Sequence, residues 1–377
     1  MTTTSDSKLA LGLSVAALSL LLSGCEHPPM DSEQKGYRGT SIIQVNNPRR
    51  VEDAADLHAV PEPIAAAPAV EGMPKAADTY QNVQVLGDLN VGQFSRMMLA
   101  ITQWVAPEQG CGYCHAEGKP LSDDSLYTKV VARRMIQMTQ HVNSNWTDHV
   151  ADTGVTCYTC HRGLNVPANI WFNDPGPDRA RGMLGGDGTQ NRAGEVSVAY
   201  SDLPADPYSA FFEGDREIRV NATNPLPQKD KPLTSIQATE WTYGLMMHMS
   251  DSLGVNCTFC HNSRQFASWG QSSPQRVTAW YGIRMVRELN NEYLNPLQPV
   301  YPDYRLGDLG DAPKQNCATC HQGVNKPLNG VSMLADYPSL KGPGSSYYGM
   351  TAEEAHSELL SALSDKLSKD DQPAGAP

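Results

Sequence analysis

Positive charge, aromatic residues and long apolar runs are all scarce in this chain of 377 residues. It has 29 lysine and arginine residues against 41 aspartate and glutamate residues, and this net charge of −12 argues against nucleic acid as a partner. Aromatic residues make up only 7% of the sequence. The one long apolar run, Leu9 to Leu22, is shorter than the roughly 20 residues of a membrane-spanning helix. A spanning helix is therefore not predicted.

The nine cysteines, by contrast, follow a strict pattern, since eight of them lie in four copies of Cys-x-x-Cys-His. Each copy is typical of a c-type haem attachment site, in which both sulfurs form thioethers and the histidine binds the iron. A zinc knuckle or a redox dithiol explains a single Cys-x-x-Cys, but four copies each followed by histidine favour haem. The motifs are Cys111, Cys114 and His115; Cys157, Cys160 and His161; Cys257, Cys260 and His261; and Cys317, Cys320 and His321.

Four haems also account for the modest hydrophobic content of 40%. Each porphyrin is a large apolar body that fills core space otherwise filled by side chains. The chain is therefore predicted to be mainly α, a multihaem cytochrome c with long irregular loops and little sheet.

The N-terminus indicates where the protein works. Lys8 precedes the apolar run, which ends in Leu22-Ser-Gly-Cys25. This pattern resembles the lipobox of bacterial lipoproteins and predicts a signal peptide over residues 1–24 with lipid attached to Cys25. The alternative is an ordinary signal peptide with a spare thiol. Either leader agrees with haem attachment outside the cytoplasmic membrane.

Two blocks of the sequence look like copies of one unit. Ala132-Arg-Arg-Met135, before the second motif, matches Gly282-Ile-Arg-Met285, before the fourth, and Gly154 matches Gly254. Such a repeat predicts two dihaem halves related by a pseudo-twofold axis. The predicted divisions are a lipidated tether at 25–80, the first half at 81–165, an irregular connection at 166–232 with a short strand within 214–222, the second half at 233–340, and a C-terminal helix and disordered tail at 341–377.

The sequence has too few histidines to supply the second axial ligand of all four haem irons. Six histidines lie outside the motifs, and only His141, His149 and His248 fall near the haem blocks. Methionine must therefore be the second axial ligand of some irons. A helix carrying methionine precedes each motif. If the helix before the second motif is unbroken, Met135 and His149 share a face about 21 Å apart and serve two different haems.

Longer stretches around the motifs match a known family. They are Val83-Gln-Val-Leu-Gly-Asp88, Val131-Ala-Arg-Arg-Met135, Ser144-Asn-Trp-Thr147, the run from Gly154 to Gly163, Asp251-Ser-Leu-Gly254, Cys260-His-Asn262, Gly282-Ile-Arg-Met-Val-Arg287 and His321-Gln-Gly323. On the basis of these stretches, the sequence resembles the tetrahaem cytochrome c subunit of the purple-bacterial photosynthetic reaction centre.

The resemblance implies three His/Met haems and one bis-His haem. Met98 would pair with His115, Met135 with His161, Met246 with His261, and His149 would cross to His321. From the residues alone, Met285 stays an alternative ligand for the fourth haem, because it is the repeat equivalent of Met135.

The resemblance also implies a function. Electrons from a small soluble cytochrome c or a high-potential iron–sulfur protein would reach the photo-oxidised bacteriochlorophyll pair, with the third haem nearest that pair. The protein would lie on the periplasmic face of the inner membrane, bound to the reaction-centre membrane subunits. Arg276 is expected to lie near the third haem and raise its potential. The alternatives are a general periplasmic electron shuttle and a small-oxyanion reductase, which would need an open iron site.

Overall fold

The computed structural model describes residues 30–36, 41–66, 72–173, 206, 208–220 and 236–342. The predicted signal peptide, Cys25 and the predicted C-terminal helix from Thr351 lie outside these ranges, as do His27 and His356. Within them the chain is mainly helical with little sheet, as predicted. None of the helices in these ranges combines the length and the apolar character needed to cross a membrane.

Short helices alternate with a few long ones. Two strands, β1 (Asp31–Gln34) and β2 (Ile43–Asn46), pair antiparallel near the N-terminus. The helices are α1 (Pro48–Asp53), α2 (Ala76–Thr79), α3 (Val91–Val105), α4 (Tyr127–Asn145), α5 (Thr147–Val150), α6 (Cys157–His161), α7 (Ile236–Leu253), α8 (Gln275–Glu288) and α9 (Cys317–His321). Short 3-10 and π turns fill much of the remainder.

The helix before the first motif forms as the sequence predicts. Asn90 caps α3 by accepting from the Gln93 amide at 2.8 Å, while the Gln93 side chain accepts from the Asn90 amide at 3.2 Å. One face of α3 buries Met97 and Trp104 in a core completed from the far end of the chain, where Tyr337 packs edge-on against Trp104.

The helix before the second motif is broken between Met135 and His149, so the spacing of about 21 Å that an unbroken helix would give these two residues does not apply. α4 ends at Asn145, and Trp146 leaves the helical region with φ −115° and ψ 34°. Tertiary contacts explain the break. The Trp146 ring is buried, and the Asn143 amide group binds the backbone of Val155 through bonds of 2.7 and 2.9 Å, which turns the chain back.

The helices of the second and fourth motifs meet directly. Arg162, just after α6, donates to the Cys320 carbonyl at 3.2 Å, and Gln322, just after α9, donates to the Cys160 carbonyl at 3.3 Å. Both residues have left-handed backbone with φ of 50°. The second and fourth motifs are therefore linked by matching hydrogen bonds.

Parts of the predicted tether pack against the rest of the chain. Gln44 donates to the Gly254 carbonyl at 3.1 Å, and the Val45 amide donates to the Asn256 side chain at 2.9 Å. These bonds fix β2 beside the third motif. His58 is also buried, with Nδ1 lying 3.3 Å from a guanidinium nitrogen of Arg162.

The predicted strand within 214–222 is absent from residues 214–220, which the structure describes. A π-helical turn over Ser209–Glu213 precedes this irregular stretch and buries Phe211 and Phe212. Apolar burial beside α8 therefore decides the local structure.

Candidate multihaem site

A cavity of about 1530 Å³ runs through the described part of the molecule. Cysteines and histidines of the first, second and fourth motifs line it, together with Cys260 of the third. Typical small-ligand pockets measure about 300–1,000 Å³. One continuous cavity of this size that touches all four motifs fits several large apolar cofactors lying close together.

Five histidines share one hydrogen-bonding arrangement. In each, Nδ1 lies within hydrogen-bond distance of a backbone carbonyl, which holds the tautomer that leaves Nε2 free for a metal. The pairs are His115 with Leu121 (3.1 Å), His149 with Thr278 (2.9 Å), His161 with Leu164 (2.8 Å), His261 with Phe266 (2.9 Å) and His321 with Val324 (2.9 Å). These are the five histidines predicted as iron ligands.

The other three histidines in the described ranges are held differently. His141 uses Nε2 in a buried pair with Glu288. His248 has Nδ1 3.2 Å from the Tyr208 hydroxyl, and His58 faces Arg162. Each of these three imidazoles has a polar side-chain partner at one ring nitrogen.

The five predicted ligands are held in the neutral form. Burial lowers the pKa of His115, His149, His161 and His261, and it lowers the pKa of His321 to about 4. A neutral imidazole is the form that binds a metal, so protonation does not compete at neutral pH.

His149 and His321 come together across the cavity. Their ring centroids are 6.0 Å apart, although they lie on different helices. Two metal–imidazole bonds of about 2 Å, plus about 1 Å from each nitrogen to its ring centre, add to roughly 6 Å. The pair is therefore spaced to hold one metal ion between the rings.

The predicted methionine ligands differ in position. Met98 and Met135 line the cavity, whereas Met97, next to Met98, is buried in the core against Trp104. Met246 and His261 both lie outside this lining, with Met246 packed at the edge of the cluster around Leu245. Met285 reaches the wall as well, from a cluster that includes Trp146.

The cysteines show two kinds of environment. Burial raises the pKa of Cys157 and Cys260 to about 11 and that of Cys317 to about 12, so these thiols are protonated at neutral pH. Cys160 and Cys320 differ from the prediction, because a disulfide joins them in this structure. A sulfur in that bond cannot also form a thioether to haem, so the two arrangements exclude each other.

Gly282 is a site residue that sequence reasoning missed. A side chain there would meet the His149 ring, with a Cβ only 2.6 Å from Cε1. The sequence carries one signal for this residue: a glycine lies inside a helix at the position where the first copy of the repeat has Ala132.

Known proteins match most of the chain. The family model for the photosynthetic reaction centre cytochrome c subunit matches residues 26–341. The photosynthetic reaction center cytochrome c subunit of Rubrivivax gelatinosus is 50% identical over 335 residues, which is 89% of this chain and 89% of the relative. The corresponding subunit of Thermochromatium tepidum is 48% identical over 88% of this chain and 80% of its own length. That of Roseobacter denitrificans is 46% identical over 88% of this chain and 91% of its own length.

The breadth of these matches agrees with the motif spacing and with the helical fold. The chain therefore belongs to the family of photosynthetic reaction centre cytochrome c subunits, which are electron-transfer proteins with covalently bound c-type haem rather than enzymes.

Proposed function

We propose that this protein holds four c-type haems and passes electrons from a soluble periplasmic carrier to the photo-oxidised bacteriochlorophyll pair of the reaction centre. The observation that carries the proposal is the single cavity that reaches all four attachment motifs. The soluble carrier is a small cytochrome c or a high-potential iron–sulfur protein. A carrier with a basic face suits the net charge of −12, because opposite charges steer association.

Three haems have His/Met ligation and one is bis-His. The ligand pairs are His115 with Met98, His161 with Met135, His261 with Met246, and His321 with His149. The distance of 6.0 Å between the His149 and His321 rings supports the bis-His pair over Met285. Each attachment cysteine, including Cys160 and Cys320, forms a thioether in the haem-loaded protein.

The two dihaem halves are related by a pseudo-twofold axis. Two pairs of matched residues support this relation. Arg162 and Gln322 make reciprocal hydrogen bonds across the seam between the halves. Gly154 and Gly254, which match in the repeat, have φ of 59° and 61°.

Haem, when bound, supplies reversible one-electron oxidation and reduction of its iron. The protein fixes the histidine tautomers through the carbonyls of Leu121, Leu164, Phe266, Val324 and Thr278. Its mostly apolar lining lowers the local dielectric constant, which strengthens the effect of every nearby charge.

Lipid on Cys25 holds the protein at the periplasmic face of the inner membrane. Cys25 precedes Met30, the first described residue, by five positions, a span of at most about 18 Å. Because β2 is bonded to the third motif, the anchor keeps that motif close to the membrane. This agrees with the third haem being the immediate donor to the pigment pair.

Flash spectroscopy tests the electron-transfer role. In membranes that contain the protein, a flash should oxidise haem within microseconds, matched in time to re-reduction of the bacteriochlorophyll pair, when followed in the haem α-band. Met246→Leu should slow or abolish this step, because it removes a ligand of the third haem. Met247→Leu, at an exposed neighbouring position, should not. Intact haems with no light-driven oxidation would contradict the proposal and leave a general shuttle or a reductase, of which the reductase would show a high-spin haem.

Arg276 is expected to raise the potential of the third haem. Its guanidinium donates to the Phe266 carbonyl at 3.1 Å, and the same carbonyl accepts from His261 Nδ1 at 2.9 Å. Removing this positive charge by Arg276→Leu should lower the potential of one haem by roughly 50 mV, equivalent to about 1 kcal/mol of Coulomb energy.

A redox titration of that haem measures the effect. Arg264→Leu is the matched control, because Arg264 is exposed and solvent screens its charge. Equal potentials in the Arg276→Leu variant and the wild type would show that Arg276 does not act on this haem.

A further inference from the structure

We infer that Gly282 is a positioning residue whose missing side chain lets His149 reach the fourth haem. The inference rests on the proposed bis-His ligation. A Cβ at position 282 would lie 2.6 Å from Cε1, 2.9 Å from Nδ1 and 3.2 Å from Nε2 of His149. The ring therefore rests directly on the backbone of α8, in space that any other residue would fill.

The backbone of Gly282 does not itself require glycine. The residue lies inside α8, which runs from Gln275 to Glu288 without a break, and glycine is less stable than alanine in a helix interior. The repeat-equivalent position carries Ala132 in α4. Because glycine lowers the stability of α8, we attribute its presence to a contact outside the helix, and that contact is with the His149 ring.

α8 holds the imidazole in two ways. The Thr278 carbonyl accepts from His149 Nδ1 at 2.9 Å, and Gly282 lies one helical turn further on, on the same face. The carbonyl fixes the direction in which Nδ1 points, and the gap at Gly282 fixes how closely the ring approaches α8. Together they direct Nε2 toward His321.

His149 depends on this support because its own helix is short. α5 spans only Thr147–Val150 and follows the break at Trp146. The neighbouring His321 ring lies 6.0 Å away on another helix, so a small shift of His149 would take Nε2 off the line between the rings. A ligand position defined across three helices is sensitive to the addition of one methyl group.

Gly282→Ala tests the inference in the complete haem-loaded protein. The readouts are the electron paramagnetic resonance spectrum, carbon monoxide binding and the midpoint potential of each haem. One haem should lose its bis-His signal and either bind carbon monoxide or change potential, while the other three stay as in the wild type. Gly270→Ala, at an exposed position with open space around it, is the matched control and should change nothing.

His149→Leu separates this inference from the ligand assignment. If His149→Leu alters one haem but Gly282→Ala alters none, the bis-His assignment stands and the role of Gly282 is overturned. If His149→Leu alters no haem, the bis-His assignment itself fails.

A double variant keeps the inference testable if Gly282→Ala folds poorly. In a His149→Ala background, which leaves the space beside position 282 empty, Gly282→Ala should add no further spectral change and the protein should accumulate as His149→Ala does. A double variant that still fails to accumulate would show that Gly282 serves a contact other than His149, which would also overturn the inference.

Discussion

Replacing Met135 by histidine is expected to lower the midpoint potential of one haem by on the order of 0.1 V, within the ~0.8 V range that axial ligands cover. Met135 lines the central cavity, and the proposed ligand set pairs it with His161. Imidazole stabilises oxidised iron more than a thioether does, so bis-His ligation favours the oxidised state. Redox titration of the four haems should show one potential lowered and three unchanged.

Two variants sharpen this test. Met135→Leu removes the ligand without replacing it, so one haem should become five-coordinate and bind carbon monoxide. Met97→Leu conserves volume at a core position that does not line the cavity, and it should leave all four potentials unchanged. If Met135→His and Met97→Leu have the same effect, Met135 is not a ligand.

Gly254→Ala should destabilise the fold by about 3 kcal/mol or more, through left-handed backbone strain and a backbone clash. Gly254 has φ +61°, and a Cβ there would lie 2.0 Å from the carbonyl oxygen of Gly323. That oxygen belongs to the main chain beside the fourth motif, where the Gly323 amide donates to Ser252 at 2.8 Å. The clash cannot be relieved by rotating a side chain, so the contact between the residues before the third motif and those after the fourth must open.

Gly118→Ala measures the cost of left-handed backbone strain without a steric clash. Gly118 has φ +74° with nothing within 4 Å of the added Cβ, so alanine should cost only about 1 kcal/mol. Guanidinium unfolding followed by far-ultraviolet circular dichroism compares the two variants. Equal midpoints would mean that the approach of Gly323 to Gly254 contributes nothing to stability.

Local patterns in the sequence explain which parts of the fold were predictable. The helix before the first motif has an apolar face and a capping pair at Asn90 and Gln93, and both signals lie within the helix itself. The break at Trp146 has no such signal. It arises because the indole is buried and Asn143 binds Val155, and these tertiary contacts outweigh helix propensity.

The same reasoning applies to the site. Attachment residues follow from motif spacing because both thiols and the histidine act within five consecutive positions. The meeting of His149 with His321 depends on how α5, α8 and α9 pack, and the family resemblance, not the helix geometry, led to it. Gly282 acts only through a ring 133 positions away in sequence, a contact that no local pattern shows.

The contact between β2 and the third motif has a consequence for how the protein is assembled. Gln44 and Gly254 are separated by 210 positions, yet β2 belongs to the part of the chain made first. Its hydrogen-bonding partners are made only after more than half of the polypeptide has followed β2. Docking of this strand is therefore a late event in folding, because it requires the residues just before the third attachment motif. A chain that stalls before residue 254 leaves the edge of β2 unpaired and open to proteases.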